Sequence, residues 1–213
     1  MFFRFLRSRA TSNPKLAEFE FLESGPLRDG CMELVRPGLQ WLNDLLRSIN
    51  HAETIRLAPD LAVTSERQVR DFLSLCPEGR QRADAASGIC PTYHFWMRDH
   101  DNPALPMAGA IALRVGGVED ADFYYGHLGY HVFPPHRGRH FAERSVRLML
   151  PLALRHGMDA VWITCNPENT PSRRTCQRLG AELVETVMVP ADHPLARRGE
   201  HFKCRYRLST GVC

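Results

Sequence analysis

Gly126-His127-Leu128-Gly129-Tyr130-His131-Val132-Phe133-Pro134-Pro135-His136-Arg137-Gly138-Arg139-His140-Phe141-Ala142 decides how the rest of the chain is read. A β-type run from Tyr124 to Phe133 is stopped by Pro134-Pro135. A basic, glycine-containing loop then opens an apolar-periodic segment with Ala142 in its first turn. Strand, turn and helix start in that order make an anion cradle. The first N–H groups of a helix have no internal acceptor and lie at the positive end of its macrodipole, so a loop that sets them beside Arg137 and Arg139 suits a pyrophosphate.

Downstream, Ala160-Val161-Trp162-Ile163-Thr164-Cys165 reads as a second buried strand. It leads into Asn166-Pro167-Glu168-Asn169-Thr170-Pro171-Ser172-Arg173-Arg174-Thr175-Cys176 and a helix stopped by Gly180. The helix shows Thr170 and Pro171 at its start and glycine past its end, the usual asymmetry of helix termini.

Upstream, Cys31–Arg36 reads as a strand closed by Pro37-Gly38. Leu39, Leu42, Leu45, Leu46 and Ile49 follow at helical spacing, and a second helix is signalled from Ser65 to Leu75 before Pro77. Thr92–Met97 and Met107–Val115, joined through Asp101-Asn102-Pro103, look like a hairpin. The long helix after the cradle carries Pro151, which predicts a kink or a tightened last turn before Gly157. Leu183–Val189 and Lys203–Leu208 supply the last two strands, joined by the polar loop 191–201.

This order resembles the GNAT superfamily of acyl-coenzyme A-dependent N-acyltransferases over residues 31–208. The family's pyrophosphate signature has Arg or Gln, two residues, Gly, one residue, then Gly or Ala; Arg137, His140 and Ala142 hold these places. His140 departs from the pattern: a side chain there either crowds the phosphate or donates to it. The lead-in Val132, Pro134, Arg137, Gly138 and the strand–Asn169–helix–Gly180 segment also match. Gly-His-Leu-Gly-Tyr and Asn-x-x-Ser-Arg-Arg look most like a bacterial branch of predicted acetyltransferases of unassigned substrate.

The resemblance implies an α/β (α+β) fold, with a mixed, mostly antiparallel sheet of about seven strands flanked by about four helices. In that fold the fourth and fifth strands splay apart and acetyl-CoA, the co-substrate, lies between them. On this chain the wedge falls between His131-Val132-Phe133 and Ile163-Thr164-Cys165. Backbone near Val132 would polarise the thioester carbonyl, and residues 137–142 (Arg137, Gly138, Arg139, His140, Phe141, Ala142) would hold the pyrophosphate. Asn166 and Asn169, with Arg173 and Arg174, would reach other parts of the cofactor.

For the base, the groups on the strand are His127, Tyr130 and His131, with His127 first because imidazole titrates near neutrality. The place where many members carry an acidic tyrosine is held by Cys176, so the general acid stays open between Tyr125, Tyr130, Cys176 and water. The implied activity is acetyl transfer from acetyl-CoA to a primary amine of a small molecule, amino acid or peptide. Two alternatives stand beside it: a non-catalytic acyl-CoA binder, and an acyltransferase with a longer donor or a protein acceptor. Homodimers are frequent in the family; nothing in the sequence decides this.

The bulk properties set the outer limits. A chain of 213 residues, 44% hydrophobic and 24% charged, suits one globular domain over 31–210, with residues 1–30 as an N-terminal extension. The net charge of +3 comes from scattered residues, without the clustered basic footprint of a nucleic-acid binder. No run approaches the roughly 18 to 20 apolar residues of a membrane span, and Met1–Arg9 is too interrupted for a signal-peptide core and reads as a frayed or packing arm. Seven cysteines without a C-x-x-C pair fit reduced thiols and a cytoplasmic setting. The histidines 127, 131, 136 and 140 invite a metal reading, but strand residues four apart are separated by roughly 13 Å, too far to share one ion. No metal is expected.

Overall fold

The computed structural model describes residues 19–62, 64–84, 89–116 and 121–211; the Met1–Arg9 arm lies outside them. One sheet runs through the molecule. Its strands are β1 (Leu27–Asp29), β2 (Met32–Val35), β3 (Arg80–Gln81), β4 (Thr92–Asp99), β5 (Met107–Arg114), β6 (Leu128–Val132), β7 (Ala160–Cys165), β8 (Glu182–Met188) and β9 (Phe202–Ser209). Their order is β1-β2-β4-β5-β6-β7-β9-β8, with β3 on β4, and every pair is antiparallel except β6–β7.

The helices are α1 (Leu42–Ile49), α2 (Ala52–Leu57), α3 (Pro59–Ala62), α4 (Glu66–Leu75), α5 (Phe141–Arg155) and α6 (Thr170–Arg178). The mixed sheet and its flanking helices are as expected, with nine strands against about seven. The two additional strands are the short β1 and β3, and α2 and α3 fill a stretch between the two expected upstream helices.

Both faces of the central sheet are covered, which explains why Tyr93, His94, Phe95, Trp96 and Met97 are all buried rather than alternating in and out. On one face Phe95, Ile111, Leu128, Val161 and Ile163 pack against α5 residues such as Val146, Met149 and Leu150. On the other, Trp96, Met107 and Phe133 pack against Leu45 and Ile49 of α1 and Val69 and Phe72 of α4. Helix α4 begins with a full capping box, Ser65 accepting from the Gln68 N–H while the Gln68 side chain accepts from the Ser65 N–H.

Two expectations change, and the third, at Pro151, resolves to the tightened last turn that was one of its two expected outcomes. Residues 19–30 are not a detached extension: β1 pairs with β2, and Phe19, Phe21, Leu22 and Leu27 lean on the main core. The strand expected from Tyr124 begins only at Leu128, because residues 121–125 form a π-helical turn and Gly126 takes a left-handed φ of 69°. Pro151 does not break α5, which runs on to Arg155. Pro151 is solvent-exposed, and the helix closes in a tightened turn with Gly157 N–H donating to Leu154 O.

Candidate active site

The sheet opens between the parallel neighbours β6 and β7. β6 and β7 meet at Leu128–Ile163 and at the Gly126–Ile163 bridge, and beyond Ile163 the two strands part. Two features hold the apex. A Cβ on Gly126 would meet Trp162 O at 2.7 Å, so glycine is what lets the backbones approach. His127 adds a two-way clamp: its N–H donates to Trp162 O at 2.8 Å, and its Nδ1 accepts the Trp162 N–H at 3.0 Å. The expectation that His127 is the base is therefore corrected. It is buried, and the Nδ1 lone pair is already spent on the main chain.

Above the apex, β6 sends consecutive residues in different directions. Phe133 N–H bonds Ala108 O on β5, so by the two-residue period His131 N–H also points toward β5 while those of Tyr130 and Val132 face the gap. Val132 O accepts from Arg137 Nε at 3.2 Å, which ties the cradle loop to the strand. His131 and Phe133, expected among the cofactor-binding residues, thus lack free N–H groups on the gap side. Phe133 is a core side chain.

Tyr130 leans toward α6. Its hydroxyl lies 2.9 Å from Ser172 Oγ, spanning the gap from one arm to the other. Burial and the neighbouring Cys176 thiol push the phenol well above its ordinary range. Cys176 is itself raised to about 12, first by burial and then by Cys165, so it is a protonated, packed thiol rather than a ready acid. Ser172 was missed as a functional residue from the sequence. Its signal was present in Asn-x-x-Ser, where Asn169 Oδ1 caps α6 by accepting Ser172 N–H at 3.1 Å and fixes the serine on the first turn.

His131 points to the opposite face. It lines a narrow cleft beneath α4, together with Phe72, His94, Phe95, Trp96, Ala110, Ile111, Ala112 and Gly129, whose free space of about 20 Å³ is room for about one water. Burial, then Arg137, lowers His131 to about 4, and burial, then Arg114, lowers His94 to about 3. Both imidazoles are neutral at physiological pH. His94 Nε2 is 3.1 Å from Gln81 Oε1, whereas His131 Nε2 is buried without a hydrogen-bond partner.

The cradle has the geometry that an anion needs. Gly138 (φ 82°) and His140 (φ 60°) are both left-handed, and the first α5 bond runs from Arg144 N–H to His140 O. No side chain caps this N-terminus, unlike those of α4 and α6. The family's glycine at the His140 place now has a physical reason: the position is left-handed, which costs a non-glycine residue roughly 1 to 2 kcal/mol. His140 Nδ1 turns to Glu143, 3.3 Å away.

The arginines divide their work. Arg137 is exposed at the gap, but Arg139 grips the buried carboxylate of Asp99, which also meets His136 Nδ1 at 3.2 Å. Arg139 thus braces the loop from behind. Phe141 is wholly buried and Ala142 is half-buried, so both offer backbone only.

On the far arm, Asn166 Oδ1 accepts from Lys203 Nζ at 2.8 Å. Arg173 donates to Pro167 O, leaving exposed Arg174 as the outward cation of that turn. Cys31, Asp99 and Asp101 lie close enough to share an ion, but Asp99 is already held by Arg139 and His136.

The chain matches the acetyltransferase (GNAT) domain family over residues 34–182, and it belongs to that family. Its fold is that of three solved structures among those it resembles. The microcin C7 self-immunity acetyltransferase MccE, in complex with acetyl-CoA and AMP, is 14% identical with a TM-score of 0.60, covering 86% of this chain and 94% of its own. The ribosomal L7/L12 alpha-N-protein acetyltransferase RimL, in complex with coenzyme A, is 16% identical with a TM-score of 0.60, covering 87% and 98%. A GNAT-family acetyltransferase from Bacillus anthracis is 14% identical with a TM-score of 0.58, covering 87% and 99%. No curated protein sequence matches the chain. Among the described residues no helix is long and apolar enough to cross a membrane, and the six described cysteines are all free thiols.

Proposed function

We propose that the protein transfers an acetyl group from acetyl-CoA to the primary amine of a small molecule or peptide, by direct attack with both substrates bound. One observation carries the reading. The parted β6–β7 edge leads from an uncapped helix N-terminus to a strand that offers an inward N–H at Val132, a hydroxyl pair on one face and a partnerless neutral imidazole on the other.

In this reading the free N–H groups at the start of α5, with Arg137, hold the pyrophosphate, and Arg174 and Asn169 border the same mouth. Arg139 is assigned to positioning: it fixes the loop through Asp99. The N–H of Val132 donates to the carbonyl oxygen on which negative charge develops, a contribution worth about 2.7 to 4 kcal/mol where single donors have been removed.

His131 replaces His127 as the base. Its Nε2 accepts a proton from the attacking amine as the nitrogen–carbon bond forms. An imidazole lowered to about 4 is a weak base in water, but the cleft that disfavours imidazolium also disfavours ammonium, so the amine enters neutral. On the other face Tyr130, paired with Ser172, donates a hydrogen bond to the departing thiolate and returns a proton to sulfur. Cys176, the third residue weighed for catalysis, supports the Tyr130 ring.

The test is a thiol-release assay with acetyl-CoA over a panel of amines, beside calorimetric titration with coenzyme A. Binding and turnover are expected. Coenzyme A binding without turnover of any amine would reduce the protein to an acyl-CoA binder, and absence of binding would end the proposal.

A further inference from the structure

The body of an acceptor amine has one direction left to it. Beside His131 Nε2 the space under α4 has room for about one water, enough for an amine nitrogen but not for the carbon chain behind it. A substituent on that nitrogen must turn away from α4, across the parted edge toward β7.

What it meets there follows from register. Leu128 and Ile163 pair in parallel and both face α5, so alternation puts His131 and Asn166 on the other face of the sheet, at the same height on the two arms. Asn166 also falls opposite Lys203 on continuation of the β7–β9 ladder, and Lys203 Nζ donates to its Oδ1 at 2.8 Å. Lys203 is 7% exposed and donates as well to Glu200, which holds it in place. An ammonium has donors only, so it fixes which end of the amide it meets. Oδ1 is turned to β9, on the far side of β7 from the gap, and Nδ2 is left toward the parted edge. Among the described residues the bond from Lys203 is the one hydrogen bond of this side chain.

The group that fits such a donor is an oxygen. An extended arm filling the gap as a strand would hold β6 and β7 about 9 to 10 Å apart, twice the spacing of paired strands. An amine nitrogen and a carbonyl oxygen on the next carbon lie roughly 3 Å apart. With a hydrogen bond of about 3 Å at each end, they close that span. The ammonium behind the amide polarises it and strengthens Nδ2 as a donor, while Glu200 offsets the charge.

We infer that Asn166 selects the acceptor, its Nδ2 donating to a carbonyl or carboxylate oxygen attached directly to the amine-bearing carbon. Free α-amino acids, their amides and peptide N-termini share this group; simple alkylamines, polyamines and the lysine side-chain amine do not. The inference rests on the acetyl-transfer reading above and moves Asn166 from the expected cofactor contacts to the acceptor.

The experiment pairs glycinamide with propargylamine, two small primary amines of similar basicity of which the first alone carries the oxygen. Each is measured for kcat/KM with acetyl-CoA and for binding to the protein–coenzyme A complex by calorimetry. Glycinamide is expected to exceed propargylamine about ten- to a hundredfold in kcat/KM. Glycine and a Gly-initiated tripeptide amide tell a free amino acid from a peptide terminus as the source.

Asn166→Asp keeps an oxygen for Lys203 and replaces the donor with a second oxygen. It is expected to abolish the glycinamide advantage with coenzyme A affinity nearly unchanged, which also verifies the fold of the variant. Equal use of the two amines by the parent, or an advantage that survives in the variant, overturns the inference. So does a variant that loses coenzyme A affinity, since the amide would then serve the cofactor. Preferential binding of glycinamide without turnover upholds the Asn166 contact while sinking the transfer reading.

Discussion

Acidification should destabilise this protein through two imidazoles, buried His94 and partly buried His131. In the unfolded chain both titrate near 6.5, whereas in the fold burial holds His94 near 3 and His131 near 4. Between these values the unfolded state takes up protons that the folded state refuses, so stability is present above about pH 6.5 and is lost as the pH falls. At pH 5 an unfolded histidine is almost fully protonated, and the difference amounts to about 2 kcal/mol for His94 and somewhat less for the less enclosed His131. Their sum, about 3 to 4 kcal/mol, is a large part of the roughly 5 to 15 kcal/mol by which a domain is stable.

Urea unfolding at pH 8, 6.5 and 5, followed by fluorescence of the tryptophans, measures the loss. His136 and His156 are also lowered, chiefly by burial, and add loss of the same sign, so the total alone does not isolate the cleft. A His94→Gln variant does, since glutamine can keep a hydrogen bond to Gln81 but does not titrate. Its stability should fall by about 2 kcal/mol less than the parent's between pH 8 and pH 5. Parallel losses in parent and variant would refute the desolvation assigned to His94.

Val132→Pro removes the N–H that faces the gap while leaving the strand's bonds to β5 in place; kcat should fall about 100- to 1,000-fold with coenzyme A affinity nearly unchanged, read from steady-state kinetics and calorimetry. Tyr130→Phe loses the hydroxyl next to Ser172 and should lower kcat more than KM, and a single-turnover measurement showing no change would remove it from proton return. His140→Gly relieves the left-handed backbone at the start of α5, which should raise stability by up to about 1 kcal/mol and tighten coenzyme A, both measurable in one thermal-shift titration. Gly126→Ala puts a Cβ against Trp162 O and should cost more than about 1 kcal/mol in urea unfolding, with loss of the β6–β7 apex.

Much of the fold was legible because its signals are local. The turn pair Pro134-Pro135, the capping serine at 65 and the Asn169–Gly180 span each act within a few residues of themselves, and each marks the end or the start of an element. What misled were residues whose role depends on a distant partner. His127 looks like a free side chain of the strand until the Trp162 N–H, 35 positions on, is seen to occupy its Nδ1. Arg139 looks like a phosphate ligand until Asp99 is found behind it. The cleft was the least legible. Ala110, Ala112 and Gly129 are unremarkable as letters and become a floor only once β5 and β6 are in register.

The same register explains why one short strand can serve three chemical needs. Side chains along a strand alternate between faces while main-chain groups point edgewise, so Tyr130, His131 and Val132 address α6, the cleft beneath α4 and the parted edge in turn. Under the proposed assignment these are the thiolate side, the amine side and the carbonyl oxygen. A slip of one residue would carry the imidazole to the α6 face and the phenol into the cleft, exchanging the two proton-handling groups. That is the physical reason to place a strut at the apex. The clamp between His127 and Trp162, together with the glycine that admits it, fixes the origin from which the three directions are counted. It follows that His127→Ala should impair catalysis through misregister, lowering stability and kcat together, whereas His131→Ala should lower kcat in a protein that still folds and still binds coenzyme A.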